Sequence, residues 1–210
     1  MMKVVVILVS MFFIPLALSS ALDQCSNCGN MEVPYPLSTS DNCGVSNYRV
    51  SCNNGSLEFL SERNSYYKIL SIDADASRFI ISPPKIERKK CYSSDLLVKG
   101  LKINESSPFS ISKRNTVMLF NCSNIVLYSP LNCSSNSLCR QYEEKIKEGR
   151  GCRNTLCCTY LKDSSITSHF IRLRVGGCTA YTSVVDLKAG DPPTSWNYGI
   201  ELQWVPPNFC

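Results

Sequence analysis

Four cations stand within six residues, at Lys85, Arg88, Lys89 and Lys90, with Tyr92 just beyond and Lys113 with Arg114 further along. A row of ammonium and guanidinium groups attracts a regularly charged polyanion and gains from the release of its counterions. A nearby phenol ring adds a face on which a ligand can pack. The bland reading is a solvated charged surface, with Tyr92 packed in the core beside Cys91. The cluster is part of a wider imbalance. Residues 85–178 hold sixteen bases and seven acids, whereas residues 22–84 hold four bases and seven acids and residues 179–210 one base and three acids. A basic zone therefore lies between acidic flanks.

Other chemistry finds little support. The chain has one histidine, His169, no G-x-S-x-G elbow and no recognisable paired-acid motif, so no constellation for hydrolysis is present and no catalytic residue is assigned. Glu58 and Glu62 could meet in space, but surface acids are their ordinary explanation. Cys25-x-x-Cys28 has two functional rivals to a structural role, a redox pair and half of a zinc site. The compartment argued next disfavours both, and His169 offers little as a further ligand. Neither a metal nor a cofactor is expected.

The 210 residues include 13 cysteines, all between Cys25 and Cys210. That density points to an oxidising compartment. Residues 1–21 explain it: Lys3 forms a positive start, an apolar stretch runs from Val4 to Leu18, and Ser19 with Ala21 supplies the small residues before a cleavage site. This pattern predicts a secretory signal peptide rather than a membrane anchor, because Ser10 and Pro15 interrupt a run already too short to span a bilayer. No later stretch is apolar enough for a transmembrane helix. The expected product is secreted, extracellular or in the cell wall, and a nucleic-acid partner is excluded. Sequons at Asn54, Asn104, Asn121 and Asn132 make each an N-glycosylation candidate.

The elements that must position these residues are mostly short strands. Runs of β type appear at 48–52, 66–72, 78–82, 95–103, 116–120, 169–175, 182–187 and 198–205, separated by turn residues. One helix is predicted over Leu138 to Glu148, where Leu138, Tyr142 and Ile146 recur at four-residue spacing, with Ser135 to Ser137 as caps and Gly149 as a stop. Neighbouring Cys157 and Cys158 point to opposite faces of a strand and should bridge to different partners. A polar, Ser-rich stretch at 104–112 offers a boundary near 110. The expected fold is mainly β: two small disulfide-stapled lobes, 22–110 and 111–210, with one short helix in the second.

The order of motifs is more specific than any one of them. Cys25-Ser26-Asn27-Cys28-Gly29, Val33-Pro34-Tyr35-Pro36, Cys43-Gly44 and the spaced Cys52 and Cys91 resemble the galacturonan-binding domain of plant wall-associated receptor kinases. The second half resembles the same group through Leu119-Phe120-Asn121-Cys122-Ser123, Ser129-Pro130-Leu131-Asn132-Cys133, Cys157-Cys158-Thr159-Tyr160, Gly177-Cys178-Thr179-Ala180-Tyr181 and Gly199-Ile200-Glu201-Leu202-Gln203-Trp204. The resemblance covers Cys25 to Cys210 and implies a receptor ectodomain, at the plasma membrane if a transmembrane and kinase region follows. It implies a non-catalytic module for cell-wall pectin or oligogalacturonide. The basic residues above would meet uronate carboxylates and Tyr92 a sugar face. The second reading is a protein-interaction ectodomain or soluble decoy for a peptide or cell-surface protein. The resemblance also makes Cys210 the unpaired thiol. Cys25, Cys28, Cys43, Cys52, Cys91, Cys122, Cys133, Cys139, Cys152, Cys157, Cys158 and Cys178 then pair internally, and an odd number in each lobe demands at least one bridge between lobes.

Overall fold

The computed structural model describes residues 24–87, 90–93, 95, 100–123, 131–145, 151–153, 155, 157–160, 166–167, 170–171, 177–188 and 190–208. The expected signal peptide (1–21), Arg88, Lys89, His169 and Cys210 lie outside them, as do the predicted helix end beyond 145 and most of the strand expected at 169–175.

Among the described residues the protein is mostly β, with two main sheets and one α-helix, stapled by six disulfides. In chain order the strands are β1 (Ser51–Asn53), β2 (Ser56–Leu60), β3 (Tyr66–Asp73), β4 (Arg78–Ile81), β5 (Phe109–Ile111), β6 (Asn115–Phe120) and β7 (Leu131–Asn132). After α1 (Leu138–Lys145) come β8 (Cys158–Tyr160), β9 (Ile166–Thr167), β10 (Phe170–Ile171), β11 (Ala180–Val185), β12 (Asn197–Tyr198) and β13 (Ile200–Trp204). The first sheet has the order β1-β2-β3-β4-β13-β5 and the second β12-β11-β6-β8-β7, while β9 and β10 form a separate hairpin.

The expected run at 198–205 is therefore two strands. β12 belongs to the second sheet and β13 to the first, and Gly199 is the hinge between them. A Cβ at Gly199 would press into the Ile80 side chain and stand 3.1 Å from the Ile81 carbonyl, so the crossing needs a residue without one. The chain makes the opposite crossing at 112–114, between β5 and β6. Of the run expected over 95–103, residues 96–99 lie outside the described residues; Leu101 and Ile103 are buried and belong to no strand, although the Leu101 carbonyl accepts from the Ile171 N–H at 3.1 Å.

Strand patterns follow from what covers each face. β2 and β3 alternate buried and exposed residues because only one face of the first sheet is covered. Every residue of β6 and β11 is buried. On β6, Val117 and Leu119 join the core shared with the first sheet, while Met118 and Phe120 join a second cluster with Tyr142 of α1 and Trp196. The larger core contains the ring cluster of Tyr48, Phe59, Phe79, Phe109 and Trp204, whose centroids lie 5.5 to 6.0 Å apart. Both tryptophans are packing residues, each no more than 6% exposed.

Cysteine bridges hold the remaining pieces. Cys25–Cys43 and Cys28–Cys52 brace an N-terminal cap. There Gly29, at φ +59°, turns the chain tightly against the backbone of Gly55. Cys157 bridges to Cys139 on α1 and Cys158 to Cys133 beside β7, the two directions that strand alternation requires. Cys122–Cys178 closes the second half, and Cys91–Cys152 crosses from one half to the other. Ser137 caps α1, its Oγ accepting the Arg140 amide at 3.4 Å.

Candidate functional site

Two surfaces carry the residue types that bind a charged sugar polymer. The first holds the described members of the basic cluster that the sequence offers as a candidate. β4 and β5 both run antiparallel to β13, pairing Ile81 with Ile200 and Ile111 with Leu202. They are thus parallel to each other, two strand spacings or roughly 10 Å apart, and leave the sheet by the same edge. Lys85 follows β4 and Lys113 follows β5, and both are exposed, as is Lys90. Beyond Lys85, the segment 90–93 is tied to Glu87, whose N–H donates to the Tyr92 carbonyl at 3.0 Å and whose carbonyl accepts from the Lys90 N–H at 3.2 Å. The Cys91–Cys152 disulfide and the Ser93 N–H bond to Thr179 fix it on the second sheet. Tyr92 is half-buried.

Arg114 is placed differently. Its Nη1 lies 3.2 Å from Glu201 Oε2 and its Nη2 3.3 Å from Asp186 Oδ2, and the Glu201 side chain is only 5% exposed. Arg78 approaches the same carboxylate at 3.9 Å. The guanidinium is committed to neutralising a buried acid at the crossing between sheets.

The second surface is a cleft of about 570 Å³ between the cap and the first sheet. Asn30, Met31 and Glu32 form its cap wall, Gly55, Ser56 and Leu57 contribute the start of β2, and Lys68, Ile69, Ser71 and Ile72 contribute β3. Lys68 is exposed on β3 opposite Glu58, and Glu58 Oε2 accepts instead from Asn53 Nδ2 at 2.6 Å. Glu32 accepts from Gln24 Nε2 at 2.9 Å. The cleft offers donors, acceptors, one free cation among the described residues and an apolar floor. Its signal in the sequence was Asn54-Gly55, flanked by the alternation of Ser56 to Leu60. That is a hairpin turn signature that overlaps a sequon.

A third polar group is internal. Asp95 Oδ2 accepts from Tyr181 Oη of the second sheet at 2.5 Å and from Tyr67 Oη of the first at 3.2 Å. Burial pushes the Asp95 carboxyl above its usual range, the tyrosine hydrogen bonds only partly opposing it. Burial also raises both phenols, with the Asp95 charge adding to it. This is a structural link between sheets, not an accessible site. Among the described residues no group of His, Cys, Asp and Glu is placed to hold a metal ion, and no helix is long and apolar enough to cross a membrane. Asn54, Asn104, Asn121 and Asn132 are all exposed, although Asn121 Nδ2 donates to Thr179 Oγ1 at 2.9 Å.

The cap, the cleft and the first four strands coincide with residues 24–83, which match the family described as wall-associated receptor kinase galacturonan-binding. Residues 24–83 carry that family's domain. Across almost its whole length the chain is also similar to two Arabidopsis thaliana proteins. With wall-associated receptor kinase-like 20 it shares 42% identity over 192 residues, 88% of this chain and 29% of that protein. With wall-associated receptor kinase-like 15 it shares 38% over 198 residues, 90% of this chain and 31% of that protein. The chain thus spans about a third of the length of these relatives. No solved structure matches it. The second half, with its Cys-rich sheet and α1, belongs to the same receptor-like alignment while lying outside the galacturonan-binding segment.

Proposed function

We propose that this protein is a non-catalytic binding module for cell-wall pectin, chiefly de-esterified galacturonan, working on the extracellular side as a secreted or cell-surface glycoprotein. The observation that carries the reading is the match of residues 24–83 to the galacturonan-binding family. The exposed cations at the edge of the first sheet support it physically. Lys85, Lys90 and Lys113 remain open to solvent, and Arg88 and Lys89 extend the same cluster in sequence. Tyr92 contributes the exposed part of its ring. Arg114 supports the edge from within by holding Glu201 and contributes little to the ligand. Such a surface suits a polymer whose charges repeat along its length, because affinity comes from many weak contacts and counterion release.

The test is retention on immobilised polygalacturonate over a salt series and a methyl-esterification series. Retention should fall steeply with ionic strength and with esterification. Retention indifferent to both would overturn the reading. Release of reducing ends from pectin by the purified chain would overturn its non-catalytic part.

A further inference from the structure

The cleft beside Lys68 differs from the basic edge in a way that gives it a separate task. A dense polyanion favours cations alone, but the cleft lining holds one acid, Glu32, beside one base, Lys68, and is thus close to neutral. A sugar ring is different, since each hydroxyl both donates and accepts. A site for it pairs carboxylate and amide oxygens with N–H and O–H donors over an apolar floor. Asn30, Ser56, Ser71 and Glu32 are such groups, and Met31, Pro34 and Ile72, each half-buried, give the apolar surface. One ammonium then selects a single carboxylate.

Size and position agree. A volume of about 570 Å³ falls in the range of small-ligand sites and exceeds one sugar ring. The cleft is also joined to the basic edge: Ser82 N–H donates to the Lys68 carbonyl at 2.8 Å, and Lys85 follows three residues later, within roughly 11 Å of Ser82 at full extension. A chain held along the edge can therefore reach Lys68 without leaving the surface.

Resting on the pectin reading above, we infer that the cleft between the cap and β3 is a subsite for a short oligogalacturonide segment, with Lys68 pairing one uronate carboxylate and the cleft's polar groups taking ring hydroxyls. The basic edge then gathers polymer through diffuse charge, and the cleft reads sugar. Tethering the two through one ligand raises the effective concentration at the second site.

The test uses the purified chain with trigalacturonate, followed by calorimetry, beside retention on polygalacturonate. Two variants probe the cleft, Lys68→Ala and Ser71→Trp, the latter at an exposed position where the new ring fills the cleft. Thermal melts verify that both fold. Each should weaken trigalacturonate binding by about tenfold or more, the worth of a charge-assisted contact, with much less effect on polymer retention at low salt. The Lys85→Ala, Lys90→Ala, Lys113→Ala triple variant should do the reverse. The subsite is refuted if both cleft variants bind trigalacturonate like the unmodified protein, or if the unmodified protein retains polymer but does not bind trigalacturonate. Absence of polymer retention by the unmodified protein refutes the pectin reading itself, and the two failures are thus distinct.

Discussion

Asn115 and Glu201, 86 residues apart, are joined by a pair of hydrogen bonds between a side chain and a backbone. Asn115 Nδ2 donates to the Glu201 carbonyl at 2.8 Å, and the Glu201 N–H donates to Asn115 Oδ1 at 2.8 Å. The same Nδ2 reaches the Ser112 carbonyl at 2.8 Å. Asn115 begins β6 in the second sheet and Glu201 lies on β13 in the first, so one amide supplies a rung between the sheets where backbone pairing cannot. The group is fully buried. Asn115→Ala leaves the Glu201 N–H unpaired, and a loss of about 2–3 kcal/mol in urea unfolding is expected. Asn115→Asp should cost at least as much, because it sets an oxygen against two carbonyls. If both variants unfold at the same urea concentration as the parent, the rung carries no weight.

Arg114 tests whether a cation in the basic zone is ligand or framework. Its bond to Glu201 leaves that acid with Arg78 alone when the side chain is removed. Arg114→Ala should therefore lower stability by about 1–3 kcal/mol, less than the full cost of stripping a buried charge because Arg78 remains. Retention on polygalacturonate should stay within a factor of about two. Unchanged stability with lost retention would instead place Arg114 in the binding surface.

These two residues also mark where the sequence stops being informative. Alternation in 66–72 and 78–82 found β3 and β4 because a sheet covered on one face writes itself as period two. The four-residue spacing from Leu138 likewise found α1. Arg114 read as a candidate ligand because a sequence shows charge but not the buried acid it faces, and Glu201 comes from the far end of the chain. The insertion of β13 between β4 and β5 is a nonlocal pairing that no local pattern encodes. The charge at Lys85 and Lys113 is visible in composition, whereas the cleft is not, since its walls come from a cap and a hairpin that meet only in the fold.

Asp95 gives the protein a pH dependence of definite sign. Its carboxyl is raised by burial above its ordinary value, so the folded state binds the proton more tightly than the unfolded chain. The associated stability is complete below about pH 4, the unfolded value, and is lost as pH rises through the higher folded one. Urea midpoints should therefore decline from pH 4 upward into the mildly acidic range, and Asp95→Asn should flatten that decline. Tyr67 and Tyr181 are also raised, so their share is lost only above pH 10. Ultraviolet titration should show these two phenols ionising only with alkaline unfolding. A midpoint that climbs from pH 4 to 6 in the parent and not in Asp95→Asn would reverse the assignment.

The basic edge can be counted through salt. When a polyanion binds, each cation that pairs with it releases a counterion, and the slope of log affinity against log salt measures how many take part. Lys85 and Lys113 are exposed where β4 and β5 leave the first sheet and Lys90 is exposed on the loop after Lys85, whereas Lys188, also exposed, follows β11 in the acidic C-terminal flank. Replacing the first three by alanine should reduce the slope on polygalacturonate by about two to three units, and Lys188→Ala should leave it nearly unchanged. The triple variant should keep its melting temperature, because among the described residues none of the three makes an ion pair. An equal change from Lys188→Ala would mean that net charge alone governs retention. The edge formed by β4 and β5 would then have no special part in it.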